Sequence, residues 1–473
     1  MHRTVATATA TDLAALATHT GGPLLVEGPA GSGKTWLLLE RFRYLVERGT
    51  MPDRLVLLLP SASRADGARA RLEERLTDGY RELVVVTPAE FAATILRRAG
   101  SRVELLDQLL SPGDRLAMLA ERIDRLPLQH HDFGGNAGAL LGGFIRRVDR
   151  LKAELVGVEQ YVRWAAELPD DTADTAAERE FAEVFRIHEL MLREAGTCDE
   201  GDLVRLALRL VAERPTGRER FEHVLIDDAQ ELDLAAASLA RQVAGAALTV
   251  AGDPLAALTR YRGAGAARLR AFETDGATVV RLLDSRRSPD QVMNAAWALG
   301  LGRAGGERAI DPGDAGGGGP EPAAVQFWRC ANERAQAQVV AAEIERLIAR
   351  EQVPPGAVAV LVPAVSREGQ AVSVALEERV VPHRLVGDAA FFQRAEIRDL
   401  LAWLRLLADP SDAAAVVRAL ARAPVELRSV DIARCTQIAR RRKLDMVAAL
   451  AAATESPQVP PEARERIRVF LKL

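Results

Sequence analysis

Along the N-terminal part of the chain, short unbroken apolar runs alternate with longer stretches of mixed apolar and polar residues. Leu55–Leu59 and Leu83–Thr87 are such runs of strand length; Pro23-Leu24-Leu25-Val26, Phe221–Ile226, Leu248–Ala251 and Val279–Leu283 also read as strands. A strand apolar at consecutive positions is buried on both faces, the condition met in a parallel sheet covered by helices. Trp36–Phe42 reads as a helix after the first run, and an Arg- and Ala-rich helical segment follows the second. From about 98 to 200 the pattern is helical almost throughout, which predicts a helical insertion inside the α/β region. The Gly-rich stretch 303–322 is expected to form a flexible, exposed loop. Beyond it, Val325–Trp328, Val358–Val362 and His383–Val386 are predicted strands, with a helix over Gln336–Arg350 between the first two. From Ala395 onward the pattern is helical, with a break at Pro424.

The first strand leads into Gly28-Pro29-Ala30-Gly31-Ser32-Gly33-Lys34-Thr35, which fills every fixed position of the phosphate-binding pattern G-x-x-x-x-G-K-[ST]. Its glycines let backbone N–H groups turn toward phosphate oxygens, and the helix N-terminus adds partial positive charge. Lys34 is placed for the β/γ-phosphates and the Thr35 hydroxyl for Mg²⁺. The chain holds only four lysines (Lys34, Lys152, Lys443 and Lys472) among 62 basic residues, so a lysine in this loop stands out against the prevailing arginine. The strand from Phe221 ends in Asp227-Asp228. An acid at the C-terminal end of such a strand points into the crevice where the phosphates lie, making Asp227 the Mg²⁺ partner of Thr35; the alternative is a pair of acids that merely opens a turn.

Composition adds limits. A length of 473 residues suits about three domains, and 48% hydrophobic with 27% charged residues is ordinary for a globular chain. Cys198, Cys330 and Cys435 have no metal-ligand spacing, and neither a signal pattern nor an apolar run of membrane length is visible, which predicts a cytoplasmic protein without membrane contact. The net charge of −4 does not mark a dedicated nucleic-acid binder, although it averages over faces. Arg146–Lys152 and Arg440–Lys443 are two basic clusters that either line a groove or form solvated helix faces.

Taken together these stretches resemble the UvrD/Rep family of superfamily-one DNA helicases. Asp227-Asp228-Ala229-Gln230 stands where that family has D-E-x-Q, and Gly252–Ala264 follows its G-D-x-D-Q-S-I-Y-x-F-R-G-A. Ser285-Arg286-Arg287-Ser288 matches N-Y-R-S, and Asp199-Glu200-Gly201-Asp202-Leu203 matches D-x-x-D-L. Gly387–Phe392 with Glu396–Leu400 looks like the family's G-x-x-F-F…E-I-K-D, with one more residue before the phenylalanines and Arg398 for the lysine. The resemblance implies a first RecA-like ATP-binding domain over 1–97 and 201–284 with a helical insertion over 98–200. A partial second RecA-like domain over 285–405 and the start of a second helical insertion over 406–473 follow. ATP and Mg²⁺ are the implied cofactors and single-stranded DNA the implied partner. Gly28 to Thr35 would hold the phosphates, Asp228 would take the catalytic-base position, and Arg287 would reach the γ-phosphate from the second domain as an arginine finger. Thr87, Tyr261 and Arg262 fall on DNA-contacting positions.

The departures from the family bear on activity. Asp228 is one methylene shorter than the usual glutamate, and Ala256 replaces a γ-phosphate-sensing glutamine. The adenine-reading glutamine is replaced by Asp12 or is absent, and Arg286 replaces the base-stacking tyrosine. On the DNA side, Pro60–Arg64 lacks an aromatic, Thr87-Pro88-Ala89 replaces Thr-Phe-His, Thr259 replaces a tyrosine, and Val425–Arg428 replaces hairpin glycines. Each lost aromatic removes roughly 1–3 kcal/mol of base stacking. Tyr261 is then the one retained stacking candidate, or else a packed core tyrosine. The family's motifs T-x-H-x-x-K-G-L-E and V-A-x-T-R-A do not occur, which implies either a truncated product or a partner, such as a second helicase or nuclease subunit, that supplies them. Two functions follow as expectations: an ATP-dependent DNA helicase or translocase acting in repair or recombination, or a nucleotide-binding accessory subunit of a helicase–nuclease complex. A metabolic P-loop kinase would share Gly28–Thr35 but has no use for the later motifs.

Overall fold

The computed structural model describes residues 5–8, 12–76, 79–101, 108–131, 137–169, 172–214, 221–244, 247–273, 277–304, 325–386 and 395–472. Gly387–Phe392 and nearly all of the Gly-rich stretch 303–322 lie outside the described residues. The chain divides into two compact units, 1–325 and 326–473.

Unit one is built on a seven-stranded sheet: β1 (Val5–Ala8), β2 (Leu24–Glu27), β3 (Leu55–Leu58), β4 (Val85–Val86), β5 (His223–Ile226), β6 (Leu248–Gly252) and β7 (Thr278–Leu282). Their order is β1-β7-β2-β6-β5-β3-β4, and every pairing is parallel. The apolar runs sit where two-sided burial requires them. One face packs Leu24, Val26, Leu57 and Leu225 against α1 (Asp12–Ala17), α2 (Lys34–Glu47) and α3 (Ala62–Glu73), chiefly through Leu13, Leu38 and Phe42. The other face packs Leu25, Val56, Val224 and Val250 against α4 (Pro88–Arg98) and helices that follow the insertion. Strand β4 is shorter than the predicted Leu83–Thr87, because Thr87 is the N-cap of α4: its hydroxyl accepts from the Glu90 N–H and the Glu90 carboxylate accepts from the Thr87 N–H.

The insertion consists of α5 (Pro112–Glu121), α6 (Ala137–Ala153), α7 (Val158–Ala166) and α8 (Ala173–Glu194). It has its own core, in which the Phe181 ring lies 5.6 Å from both Phe144 and Tyr161. The chain returns to the sheet through α9 (Glu200–Glu213), α10 (Leu234–Ala244) and α11 (Ala266–Arg270), and α12 (Asp290–Ala304) follows β7. The residues just after β7 are hydrogen-bonded to the loop that follows β2.

Unit two is helical among its described residues: α13 (Glu333–Glu351), α14 (Gln370–Glu378), α15 (Ala395–Ala408), α16 (Ala413–Ala421), α17 (Ser429–Arg442), α18 (Met446–Ala453) and α19 (Pro461–Phe470). Pro424 falls in the turn between α16 and α17. One core joins α13 and α14 through Ala341, Ile344 and Leu376, and a second gathers Val416, Leu420, Leu450 and Ile467. The strands expected at Val325–Trp328, Val358–Val362 and His383–Val386 are not formed; no sheet partner pairs with them among the described residues. An apolar run marks a segment suited to a sheet, but a strand exists only where a neighbouring backbone accepts its N–H and C=O groups. Phe327, Leu361 and Val386 accordingly stay exposed. No helix among the described residues is long and apolar enough to cross a membrane.

Candidate nucleotide site

Strands β2, β6 and β5 are neighbours, so the loops leaving their C-terminal ends converge. The loop after β2 runs from Gly28 into α2, with Gly31 at φ 80° and Gly33 at φ 99°, the left-handed region that glycine enters without strain. A Cβ at Gly28 would meet Ser32 Oγ at 2.8 Å; one at Gly31 would meet Ser285 Oγ at 2.5 Å and Arg287 Cβ at 2.9 Å. Glycine at 31 therefore lets Ser285–Arg287 lie directly on the loop. The Ser285 hydroxyl donates to the Ala30 carbonyl and the Arg286 N–H to the Gly31 carbonyl, both at 2.9 Å. Arg287 thus lies beside the loop, close enough to lower the pKa of Lys34 by its charge.

The Lys34 ammonium donates to the carbonyls of Gly28 at 2.6 Å and Pro29 at 2.8 Å, and the Ser32 N–H closes a turn on Pro29. Burial lowers the pKa of Lys34; Asp253 and Asp227 oppose this, and Arg287 and Arg64 add to it. The Thr35 hydroxyl donates to Asp227 Oδ2 at 2.7 Å, joining residues far apart in the chain. Burial pushes the Asp227 and Asp253 carboxyls up, with Thr35 and Arg64 working against it at Asp227. Asp228 adopts φ 48°, its N–H bonded to Asp227 Oδ1. Its Oδ1 accepts from Gln230 Nε2 at 3.2 Å, and its other oxygen is paired with Arg64. Gln230 is buried and fixed in turn, accepting the Asp253 N–H at 2.9 Å through Oε1.

Two observations fit this cleft to a nucleotide with Mg²⁺. The Ser32 hydroxyl is buried and has no hydrogen-bond partner among the described residues, and the cradle is open at glycines where any Cβ would collide. Thr35 and Asp227 together offer hard oxygen ligands of the kind Mg²⁺ takes.

The DNA-side candidates separate. Thr87 is committed to its helix cap. Tyr261 is 67% exposed, which removes the packed-core reading, and the Arg262 guanidinium lies 5.6 Å from its ring centroid. Their turn is held from beneath: Arg150 on α6 donates to the Arg260 carbonyl, and the Glu231 carboxylate accepts from Thr259 Oγ1 at 2.5 Å and from the Thr259 N–H at 3.1 Å. Thr259, which stands where the family has tyrosine, here pins the loop.

The motif Asp199–Leu203 belongs to a different cluster. Lys152, wholly buried, reaches Glu189 at 2.7 Å and Asp199 and Asp202 at 2.8 Å, while Arg115 reaches Asp149 at 2.7 Å and Asp199 at 3.1 Å. His188, Glu189 and Asp199 have metal-like proximity, but the Lys152 ammonium already supplies the cation between the two acids. Burial would raise the Asp199 carboxyl; Lys152 and Arg115 outweigh it and hold it low. Of the basic residues in Arg146–Lys152 only Lys152 is buried: Arg146 is exposed and the partly exposed Arg147 stacks 4.1 Å from the Phe181 ring, while Arg440–Lys443 is exposed at the end of α17.

Residues 9–276, more than half the chain, match the UvrD/REP helicase N-terminal domain, and residues 317–455 match the UvrD-like helicase C-terminal domain. The chain belongs to the UvrD/REP helicase family. It is 28% identical over 423 residues to the ATP-dependent DNA helicase UvrD1 of Mycobacterium tuberculosis, covering 85% of this chain and 52% of the relative. It is 24% identical over 466 residues to the ATP-dependent DNA helicase PcrA of Leuconostoc citreum, covering 96% of this chain and 60% of the relative. With PcrA of Bacillus subtilis it shares 25% identity over 404 residues, 83% of this chain and 52% of the relative. The chain spans little more than half the length of the curated relatives it matches. Within the UvrD/REP frame, Gln230 and Arg64 are the residues that sequence reasoning left without a role. The final glutamine of the D-E-x-Q motif signalled the first; nothing in the local pattern around Pro60–Arg64 signalled the second.

Proposed function

We propose that this chain binds and hydrolyses Mg²⁺-ATP in the cleft between β2, β5 and β6 and uses the turnover to move along single-stranded DNA, as an ATP-dependent DNA helicase or translocase acting in repair or recombination in the cytoplasm. The observation that carries the reading is the Thr35–Asp227 hydrogen bond, which holds the two Mg²⁺-ligand candidates on one spot beside Lys34. Bound Mg²⁺ would neutralise charge on the β- and γ-phosphate oxygens. The residues of the chain do the rest. Gly28 to Gly33 wrap backbone N–H groups around the phosphates, with Pro29, Ala30 and Ser32 shaping the turn, and Lys34 adds a point charge. Asp228 orients the attacking water, and Arg287 stabilises charge at the γ-phosphate in cis. The shorter reach of Asp228 and the loss of a glutamine at Ala256 favour slow hydrolysis. Tyr261 stacks on a base and Arg262 meets the backbone, with Thr87 a weaker candidate because its hydroxyl is already bonded.

The test is ATP turnover by the full chain with and without single-stranded oligonucleotide, alongside Lys34→Ala. Stimulation by DNA that Lys34→Ala abolishes supports the proposal. Tight Mg²⁺-ATP binding with negligible turnover under both conditions would refute it in favour of a nucleotide-binding accessory role.

A further inference from the structure

The basic run at the end of α17 takes no part in the reading above. Arg440, Arg441 and Arg442 form the last turn of this helix and Lys443 caps it, all four exposed. The arginines toward its other end are committed: Arg428 and Arg434 reach the buried Asp431 carboxylate at 2.9 and 2.7 Å. No acid stands between Asp431 and Asp445 in the chain, and the Asp445 carboxylate accepts the Ala448 N–H at 2.7 Å as the cap of α18. Among the described residues, Arg440 to Lys443 have no acidic partner. The run is held on a fixed element. Ile432 and Cys435 anchor α17 in its core, and the N–H groups of Lys443 and Leu444 both close on the Ala439 carbonyl. Lys443 sits at φ 53°, a left-handed position where glycine is the usual residue, so a cation stands where the unstrained choice has no side chain.

At 3.6 residues per turn, consecutive positions leave a helix in different directions, so these four cations form a collar around the helix end and not a stripe on one face. The helix dipole favours positive charge in a last turn, but four adjacent cations repel one another unless anions stand among them. In a chain of net charge −4, such a focus attracts anions that the rest of the surface turns away. Guanidinium groups fit phosphate oxygens in pairs. From residue 395 to the end the only aromatic residues are Trp403 and Phe470, whose rings pack on each other at 5.9 Å, Phe470 being buried. Cations without an exposed ring cannot stack unpaired bases and meet only the backbone. A duplex presents two phosphates for each one of a single strand over the same length. The collar is as wide as a helix, about 10–12 Å, which matches a major groove of about 12 Å with phosphates along both walls. We propose that the end of α17 is a docking site for the phosphate backbone of double-stranded DNA, bound without reading its sequence. The site lies in unit two and does not depend on the assignment of the nucleotide cleft.

The experiment measures binding of the full chain to a blunt DNA duplex and to oligo-dT by fluorescence anisotropy, between about 50 and 200 mM salt. It compares the native protein with a variant carrying Arg440→Gln, Arg441→Gln, Arg442→Gln and Lys443→Gln, and with one carrying Arg440→Lys, Arg441→Lys and Arg442→Lys. Circular dichroism and Mg²⁺-ATP affinity report that each is folded. The expected result is a plot of log affinity against log salt for the duplex that is shallower by about 3 to 4 in the glutamine variant, each phosphate contact contributing about 0.9. Oligo-dT binding is unchanged, and the lysine variant keeps the native slope. Arg441→Gln alone, too small a change to unfold the helix, lowers the slope by about 1 and carries the same test. A native chain that does not bind the duplex overturns the proposal, as does an unchanged slope in the glutamine variants. Equal losses on duplex and oligo-dT also overturn it, because the collar would then serve single strands. The two readings fail separately: absence of DNA-stimulated turnover counts against the translocase function and leaves the duplex slope to decide the docking site.

Discussion

Replacing Lys152 by methionine tests how the helical insertion is tied to the sheet. The substitution keeps the volume and the unbranched shape of the stem but removes a charge that is 0% exposed. Glu189, Asp199 and Asp202 would lose the ammonium at 2.7–2.8 Å, while Arg115 would remain 3.1 Å from Asp199. Removing one member of a buried ion cluster leaves uncompensated charge and costs about 3–5 kcal/mol, with the remaining Arg115 favouring the lower end. For a unit of this size that is a fall in Tm on the order of 10 °C. The pH dependence gives a second signature. In Lys152→Met the buried carboxyls rise above their unfolded pKa values. Such a shift contributes stability at low pH that is lost as pH rises, so the deficit against the native chain is larger at pH 8 than at pH 5. Urea denaturation of both proteins at the two pH values reads this directly. A deficit below about 1 kcal/mol, or one that does not shrink at pH 5, would refute the argument that Lys152 is the charge balancing this cluster.

Other outcomes follow from the same geometry. Gly31→Ala places a Cβ 2.5 Å from Ser285 Oγ at φ 80°, and titration with a fluorescent ATP analogue should show affinity falling about tenfold, the equivalent of ~1.4 kcal/mol; unchanged affinity would contradict the close approach of Ser285–Arg287. Tyr261→Ala should weaken binding of single-stranded oligonucleotide by roughly 1–3 kcal/mol without changing Mg²⁺-ATP affinity, measured by fluorescence anisotropy. His223 is buried against Thr249 Oγ1 at 2.9 Å, and burial, with Arg41 adding, pushes its pKa down to about 3 from the ordinary 6.5. Its unfolded form takes up a proton first as pH falls, so its contribution to stability is full above 6.5 and is lost toward 3. Between pH 7.5 and 5.5 the native chain should lose about 1.4 kcal/mol that His223→Gln does not; parallel urea titrations of both proteins would show it, and identical pH slopes would count against a buried neutral histidine.

The local sequence determined much of this protein. Consecutive apolar residues at Leu24–Val26, Leu55–Leu58 and Val224–Ile226 dictated strands buried on both faces, and hence a parallel sheet, because only helices on either side supply that burial. Gly28–Thr35 dictated a turn and helix start whose conformation depends on its own glycines. Contacts between distant segments were a different matter. The runs at Val325–Trp328 and Val358–Val362 also read as strands but have no paired neighbour among the described residues, since a strand's partner is not encoded in the strand. Basic residues in one run, Arg146–Lys152, went to separate tasks: Lys152 inside a carboxylate cluster, Arg147 on an aromatic ring, Arg150 under the Tyr261 turn. The Arg64–Asp228 pair and the seating of Ser285–Arg287 on the loop were equally invisible in the linear pattern. Periodicity and turn chemistry act over a few residues and are written in the chain; the pairing of charges and of strand edges is settled only where the fold brings remote backbones within a few ångströms.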